Sequence, residues 1–410
     1  MSREAKPTGH ERPEAERRGQ NAGPDAPRGN VSDLLQGKRV CVCAGSGGVG
    51  KTTTSAAIAM GMAAEGLKVA VLTIDPAKRL ANALGLEELG NEPHLVPAER
   101  FEEAGLEMRG ELWAMMLDAK RTFDELIGRL APDAATRDQV LENRIYRELS
   151  GAIAGSQEFT AIAKLYELHA EGDFDLLVLD TPPSRHALDF LDAPDRLTDF
   201  FEGRALRMFL RPTGLGMKLL GRGTGLALGV LRRLTGVELL RDLSTFFSAL
   251  GGMLDAFKAR AVQVRALLAD PGTTFLLVTS PEREPIEEAT YFWRKLRSAR
   301  MPFGGVIVNR MHHDALTGDE DLDELRDSLA DELGPKLAGK VMGNLGEYRV
   351  LAARDAANVA DVGRRFGRAP LIAVPHLDED VHDVAGLLAV QRYLFASADE
   401  RERMLAALES

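Results

Sequence analysis

The chain has little cysteine. Cys41 and Cys43 are the only two in 410 residues. They lie two positions apart on an apolar, strand-like run, so they share one face. A disulfide between them is sterically implausible. There is no Cys-x-x-Cys and no second pair, so a structural zinc site lacks its ligands. Buried thiols packed on a sheet remain as the reading. No uncharged run reaches transmembrane length, and no charged-then-apolar leader opens the chain. A cytoplasmic protein is expected. Excess positive charge is missing too: the net charge of −11 disfavours wholesale binding to nucleic acid.

Large apolar side chains are nearly absent from Met1 to about Gly29, where Arg, Glu, Pro, Gly and Ala dominate. Such a stretch cannot bury enough surface to offset the entropy of ordering. A disordered tail is predicted over 1–30, and an ordered domain over 31–410.

The most informative stretch that is present reads Gly45-Ser46-Gly47-Gly48-Val49-Gly50-Lys51-Thr52. It satisfies G-x-x-x-x-G-K-[ST], the loop that wraps nucleotide phosphates. Its glycines, Gly47, Gly48 and Gly50 with Val49 between them, let successive N–H groups turn toward one anion. Lys51 would reach the β- and γ-phosphates, and the Thr52 hydroxyl would ligate Mg²⁺, with Thr53 following in the loop. A β-branched run, Arg39 to Ala44, precedes the loop, and a helical pattern, Thr52 to Met60, follows it. Strand, glycine loop and helix are what the chemistry needs, because the helix N-terminus adds partial positive charge. The plainer alternative is a glycine turn at a βα junction.

Strands and helices then alternate. Further strands are predicted at Lys68 to Ile74, Leu112 to Leu117, Leu176 to Leu179, Thr274 to Thr279, Gly305 to Val308 and Leu371 to Val374. The expected fold is α/β, a P-loop nucleotide-hydrolase architecture: a mostly parallel sheet with helices on both faces. The interval 190–270 has no convincing strand. It reads as helices at Asp195 to Leu210, Leu226 to Leu234 and Leu239 to Leu268, a helical subdomain inserted between strands.

Two aspartates follow strands. Asp180 is placed to anchor Mg²⁺, directly or through water; an ordinary helix N-cap is the alternative. Asp75, in Asp75-Pro76-Ala77, could hold a water in line with the γ-phosphate, or cap the next helix. Its free pKa is too low for a strong base, so orientation is the expected contribution.

These segments, in this order, resemble the ArsA-type deviant-Walker ATPases, the arsenical-pump and tail-anchored-protein-targeting family. The match runs from about Lys38 to Leu388. It rests on the phosphate loop, Asp75-Pro76-Ala77, the Asp180-Thr181-x-Pro183 element with His186, and Asn309. Among its members the chain resembles the paired actinobacterial ATPases. The resemblance implies a dimer around two ATP molecules, with Mg²⁺ and with switch segments that rearrange on hydrolysis. It implies that Asp75 positions water and that Asp180 stands on the Mg²⁺ side. It places adenine against Asn309 and the Val374-Pro375-His376-Leu377 loop. For His186 a switch role and a plain solvated loop are equally open.

The departures matter. The family's loop normally carries lysine where this chain has Ser46, and that lysine acts on the other subunit's ATP. A missing trans cation can cost orders of magnitude in rate. The expected remedy is a paralogous partner that keeps the lysine; the other is Arg185 acting in cis. No zinc clip and no arsenite-binding cysteines are expected.

Within the insert, Arg204, Arg207, Arg211, Lys218, Arg222 and Arg232 are interleaved with leucines and glycines. Basic amphipathic segments suit hydrophobic partners or a membrane surface. The resemblance implies a groove for a hydrophobic client; a cap packed on its own subunit is the alternative. The carboxyl-terminal stretch from Val384 to Leu408 is apolar early, and its later mixed charge reads as a solvated face. The leading function is an ATP-hydrolysing switch. The alternatives are a partition-type ATPase positioning cargo on membrane or DNA, and a non-catalytic ATP-binding subunit.

Overall fold

Among the described residues there are eight strands, β1 Val40–Ala44, β2 Lys68–Thr73, β3 His94–Leu95, β4 Glu111–Met116, β5 Leu176–Asp180, β6 Thr273–Thr279, β7 Phe303–Met311 and β8 Leu371–Pro375, and all but β3 carry β-branched or apolar runs. The computed structural model describes residues 29–74, 78–144, 146–147, 157–181, 242, 245–246, 248–314, 316, 322–377 and 379–407. The expected tail, Asp75, Arg185, His186 and most of the helical insert lie outside the described residues.

The strands form one sheet in the order β3-β4-β2-β5-β1-β6-β7-β8. Every pairing is parallel except β3 with β4. Parallel strands need both faces covered, and side-chain alternation divides their residues accordingly. Val40, Val42, Leu177, Leu179, Phe275 and Leu277 enter the core on one face. Cys41, Cys43, Leu176, Val178, Leu276 and Val278 enter the core on the other. Cys41 and Cys43 share a face as free, buried thiols. The neighbouring Cys43 thiol, with burial behind it, pushes the Cys41 thiol well above its ordinary value.

The helix after the phosphate loop, Lys51–Ala64, is buried along most of its length. Its alanines and glycine let it lie between the sheet and the Val384–Phe395 helix. A Cβ at Gly61 would sit 2.3 Å from the Phe395 ring, so glycine is required for that approach.

Several details differ from the sequence reading. β3 was not foreseen: it is two exposed residues, too short for periodicity to register. The helix expected over Leu239 to Leu268 is interrupted at Gly252 and Met253 and restarts at Leu254. The carboxyl-terminal stretch is two helices, Val384–Phe395 and Ala398–Ala407. The second does not simply present a solvated charged face. Arg401 is buried and donates to the Tyr393 and Ala396 carbonyls at 2.9 and 2.8 Å, closing the end of the preceding helix. The helical hairpin Leu322–Leu333 and Pro335–Phe366 also went unread. No helix among the described residues is long and apolar enough to cross a membrane.

Candidate functional site

The parallel strands point their carboxyl ends to one side of the sheet, where open α/β sheets bind ligands. A cleft of about 550 Å³ lies there. Its lining includes Gly48, Gly50, Lys51, Thr52, Thr53, Asp180, Asn309 and Pro375. Residues separated by hundreds of positions meet because β1, β5, β7 and β8 end together.

The loop between β1 and the Lys51–Ala64 helix has the shape of an anion cradle. Gly48 and Gly50 take left-handed backbone angles, with φ of +81° and +87°. Gly50 is excluded from carrying a side chain twice over, since a Cβ there would meet the Asn309 amide nitrogen at 2.3 Å. Gly45 is held as tightly: a Cβ would lie 2.0 Å from the Val278 carbonyl of β6. Lys51 is buried, and its ammonium donates to the Ser46 carbonyl at 2.7 Å. Ser46 therefore contributes its backbone to the lysine's seat. Its own hydroxyl is buried, with no hydrogen-bond partner among the described residues.

Asp180 ends β5, nearly wholly buried. Thr52 and Thr73 both donate to its Oδ2, at 2.7 and 2.8 Å. The sequence reading named Thr52 but missed Thr73, whose only signal was a hydroxyl ending the apolar β2. The Thr181 hydroxyl donates to the Cys43 carbonyl at 2.9 Å and ties the ends of β5 and β1. The Thr52 hydroxyl and the Asp180 carboxylate are hard oxygen donors side by side, which fits Mg²⁺.

Asn309 lies on β7, and its amide donates to the Val49 carbonyl at 3.0 Å. β7 does not stop at Val308, as predicted, but runs on to Met311 through a bulge. Val308 pairs with Ala373 and Met311 with Pro375, so β7 fits one extra residue into that interval. Arg310, within the bulge, donates to the Gly48 carbonyl at 3.1 Å. Sequence reasoning missed this arginine. Its only signal was adjacency to Asn309.

Pro375 ends β8, and the exposed His376 follows it in the cleft wall. The His376 ring stacks on His312, with centroids 5.1 Å apart and an interplanar angle of 16°. His312 is fixed in turn by Asp355, whose Oδ2 lies 2.7 Å from Nδ1 and accepts from the His312 backbone at 3.1 Å. Burial alone would raise the Asp355 pKa. Hydrogen bonds from His312 and Arg354 outweigh it and hold the carboxyl below the ordinary 3.8. The cleft thus combines an anion cradle, a buried lysine, a hydroxyl–carboxylate pair and a wall built on β7 and β8. It can hold a polyphosphate.

The family model for anion-transporting ATPases matches residues 38–326. The chain belongs to this family. ATPase GET3A of Arabidopsis thaliana is 28% identical over 311 residues, covering 73% of each chain. ATPase ARSA1 of Chlamydomonas reinhardtii is 29% identical over 314 residues, covering 70% of this chain and 37% of that protein. The chain therefore spans little more than a third of the Chlamydomonas relative. ATPase get3 of Schizosaccharomyces japonicus is 31% identical over 150 residues, 37% of this chain and 42% of that protein. For this member of the anion-transporting ATPase family, the match begins just before β1 and ends within the Leu322–Leu333 helix. The Pro335–Phe366 helix, which supplies Asp355, lies beyond it.

Proposed function

We propose that this chain binds Mg²⁺–ATP in the cleft and hydrolyses it, and that the nucleotide state controls a protein partner. The observation that carries the reading is the Thr52–Asp180 pair, 2.7 Å apart beside the phosphate loop. In this reading the N–H groups of Gly47 to Thr53 surround the phosphates, and Lys51 leaves the Ser46 carbonyl for the β- and γ-phosphate oxygens. Thr52 and Asp180 would hold Mg²⁺, the latter through water. Bound there, the ion would neutralise charge that develops on the β- and γ-oxygens. Asn309 and Pro375 would border the base. Asp75 would orient the attacking water. The relatives' shared name, ATPase, and the family membership support hydrolysis.

The assembly is part of the same proposal. Ser46 brings no charge to a neighbouring subunit's nucleotide. The favoured assembly is therefore a dimer with a paralogous chain that carries lysine at this position. The basic, leucine-rich insert is assigned to a hydrophobic client or partner. The test is phosphate release by the purified chain, with Lys51→Ala as the control. Turnover that depends on Mg²⁺ and Lys51 supports hydrolysis. ATP binding without turnover, in wild type and in Ser46→Lys alike, would favour the non-catalytic subunit. Tight ATP-dependent co-sedimentation with liposomes or DNA would favour the partition-type reading.

A further inference from the structure

Asn309 and Arg310 are consecutive on β7, yet both side chains reach the phosphate loop. Asn309 donates to the Val49 carbonyl at 3.0 Å, and Arg310 to the Gly48 carbonyl at 3.1 Å. Neighbouring strand residues ordinarily point to opposite faces of a sheet. Here the bulge between Val308 and Met311 removes the alternation. Arg310 also takes φ = +63°, the left-handed region that non-glycine residues avoid. Bulges recur beside active sites, where they re-aim side chains, and strained backbone collects there too. Fastening the loop does not by itself account for this cost, because Asn309 already holds the adjacent carbonyl.

The chemistry of the cleft supplies a reason. A nucleoside triphosphate carries several negative charges, more than one buried lysine and one divalent cation neutralise beside the Asp180 carboxylate. A guanidinium offers five N–H donors in a planar fork suited to phosphate oxygens. The Gly48 carbonyl engages one Arg310 nitrogen. Arg310 is exposed and lines the same cleft as Lys51 and Thr52.

We infer that Arg310 is a phosphate-binding residue: braced on the Gly48 carbonyl, its guanidinium gives a cation and further donors to the polyphosphate. This rests on the nucleotide reading above and adds a residue to it. Asn309 and Arg310 then divide the bulge between them, one fastening the loop and the other meeting its anion.

The test is calorimetric titration of the full chain with Mg²⁺ and ATP, ADP or AMP, for wild type, Arg310→Asn and Arg310→Lys. Asparagine accepts the left-handed backbone, so Arg310→Asn removes the cation without demanding a new turn. ATP affinity is expected to fall about tenfold in Arg310→Asn, ADP affinity less and AMP affinity least. Arg310→Lys should recover part of the ATP loss. Equal losses for all three nucleotides, or no loss, would overturn the assignment, since base contact alone predicts no dependence on phosphate number; a graded loss that Arg310→Lys does not recover would assign the effect to loop shape and overturn it as well. Wild-type protein that binds none of the three would overturn the nucleotide reading and this inference together. Wild-type binding with an ungraded variant would overturn this inference alone.

Discussion

Thr52 Oγ1 and Asp180 Oδ2 meet at 2.7 Å although 128 positions separate them in the chain. β1 and β5 are adjacent parallel strands with Cys43 opposite Asp180, so the end of one strand faces the loop that follows the other. The pair is the junction where phosphate cradle and cation chemistry would meet. Thr52→Ala and Asp180→Asn should each weaken Mg²⁺-dependent ATP binding by about tenfold or more, with smaller effects in EDTA. Titrations with and without Mg²⁺ check this. Equal losses in both conditions would remove the cation from these residues.

Gly50 should tolerate no side chain. Gly50→Ala places a methyl group 2.3 Å from the Asn309 amide nitrogen and forces φ near +87° on an L-residue. The expected result is loss of nucleotide binding together with a destabilisation of about 1–3 kcal/mol. Adding Asn309→Ala should relieve the steric part but not the backbone part. Denaturant unfolding of the single and double variants separates the two.

Ser46→Lys tests the incomplete-site idea. If the chain lacks a trans cation, isolated Ser46→Lys protein should hydrolyse ATP at least about tenfold faster than wild type. The rate measured against protein concentration shows whether the gain needs a second subunit. An isolated wild-type chain that already matches lysine-bearing relatives would contradict the idea.

Stability should fall on mild acidification, in part through His313. Burial lowers its pKa below the ordinary 6.5, the His312 charge adds to this, and Asp355 opposes it. The unfolded chain therefore binds the proton first, so this contribution is present above about pH 6.5 and is lost as pH falls from there toward the folded value. Thermal melts between pH 7.5 and 5.5 should show a steeper decline for wild type than for His313→Gln. Parallel curves would exclude His313 as the source.

Much of the fold was legible because a parallel sheet buried on both faces leaves apolar, β-branched runs, and seven such runs correspond to β1, β2 and β4 to β8. β3 left no such trace. The interruption at Gly252 and Met253 falls on the Gly251-Gly252 pair, a local signal outweighed by the apolar spacing on either side. The buried role of Arg401 depends on the Tyr393 and Ala396 carbonyls of the preceding helix, which composition does not encode. In the candidate site, the loop and Asp180 were readable from motif and position. Thr73 and Arg310 were not, since a hydroxyl or guanidinium at a strand end means little until the partner strand is known. The bulge in β7 was invisible for the same reason: one extra residue in a strand changes no pattern in composition, yet it turns Arg310 toward Gly48. The Asp355–His312–His376 chain needs a residue from a helix beyond the family match.

The most direct test of the nucleotide reading is ATP binding by the purified chain, measured by calorimetry in Mg²⁺ for wild type and Lys51→Ala. A polyphosphate seated on Lys51 predicts saturable one-site binding by wild type and at least about a tenfold loss in the variant. Wild-type protein that shows no saturable binding, or a Lys51→Ala variant that binds equally well, would contradict it.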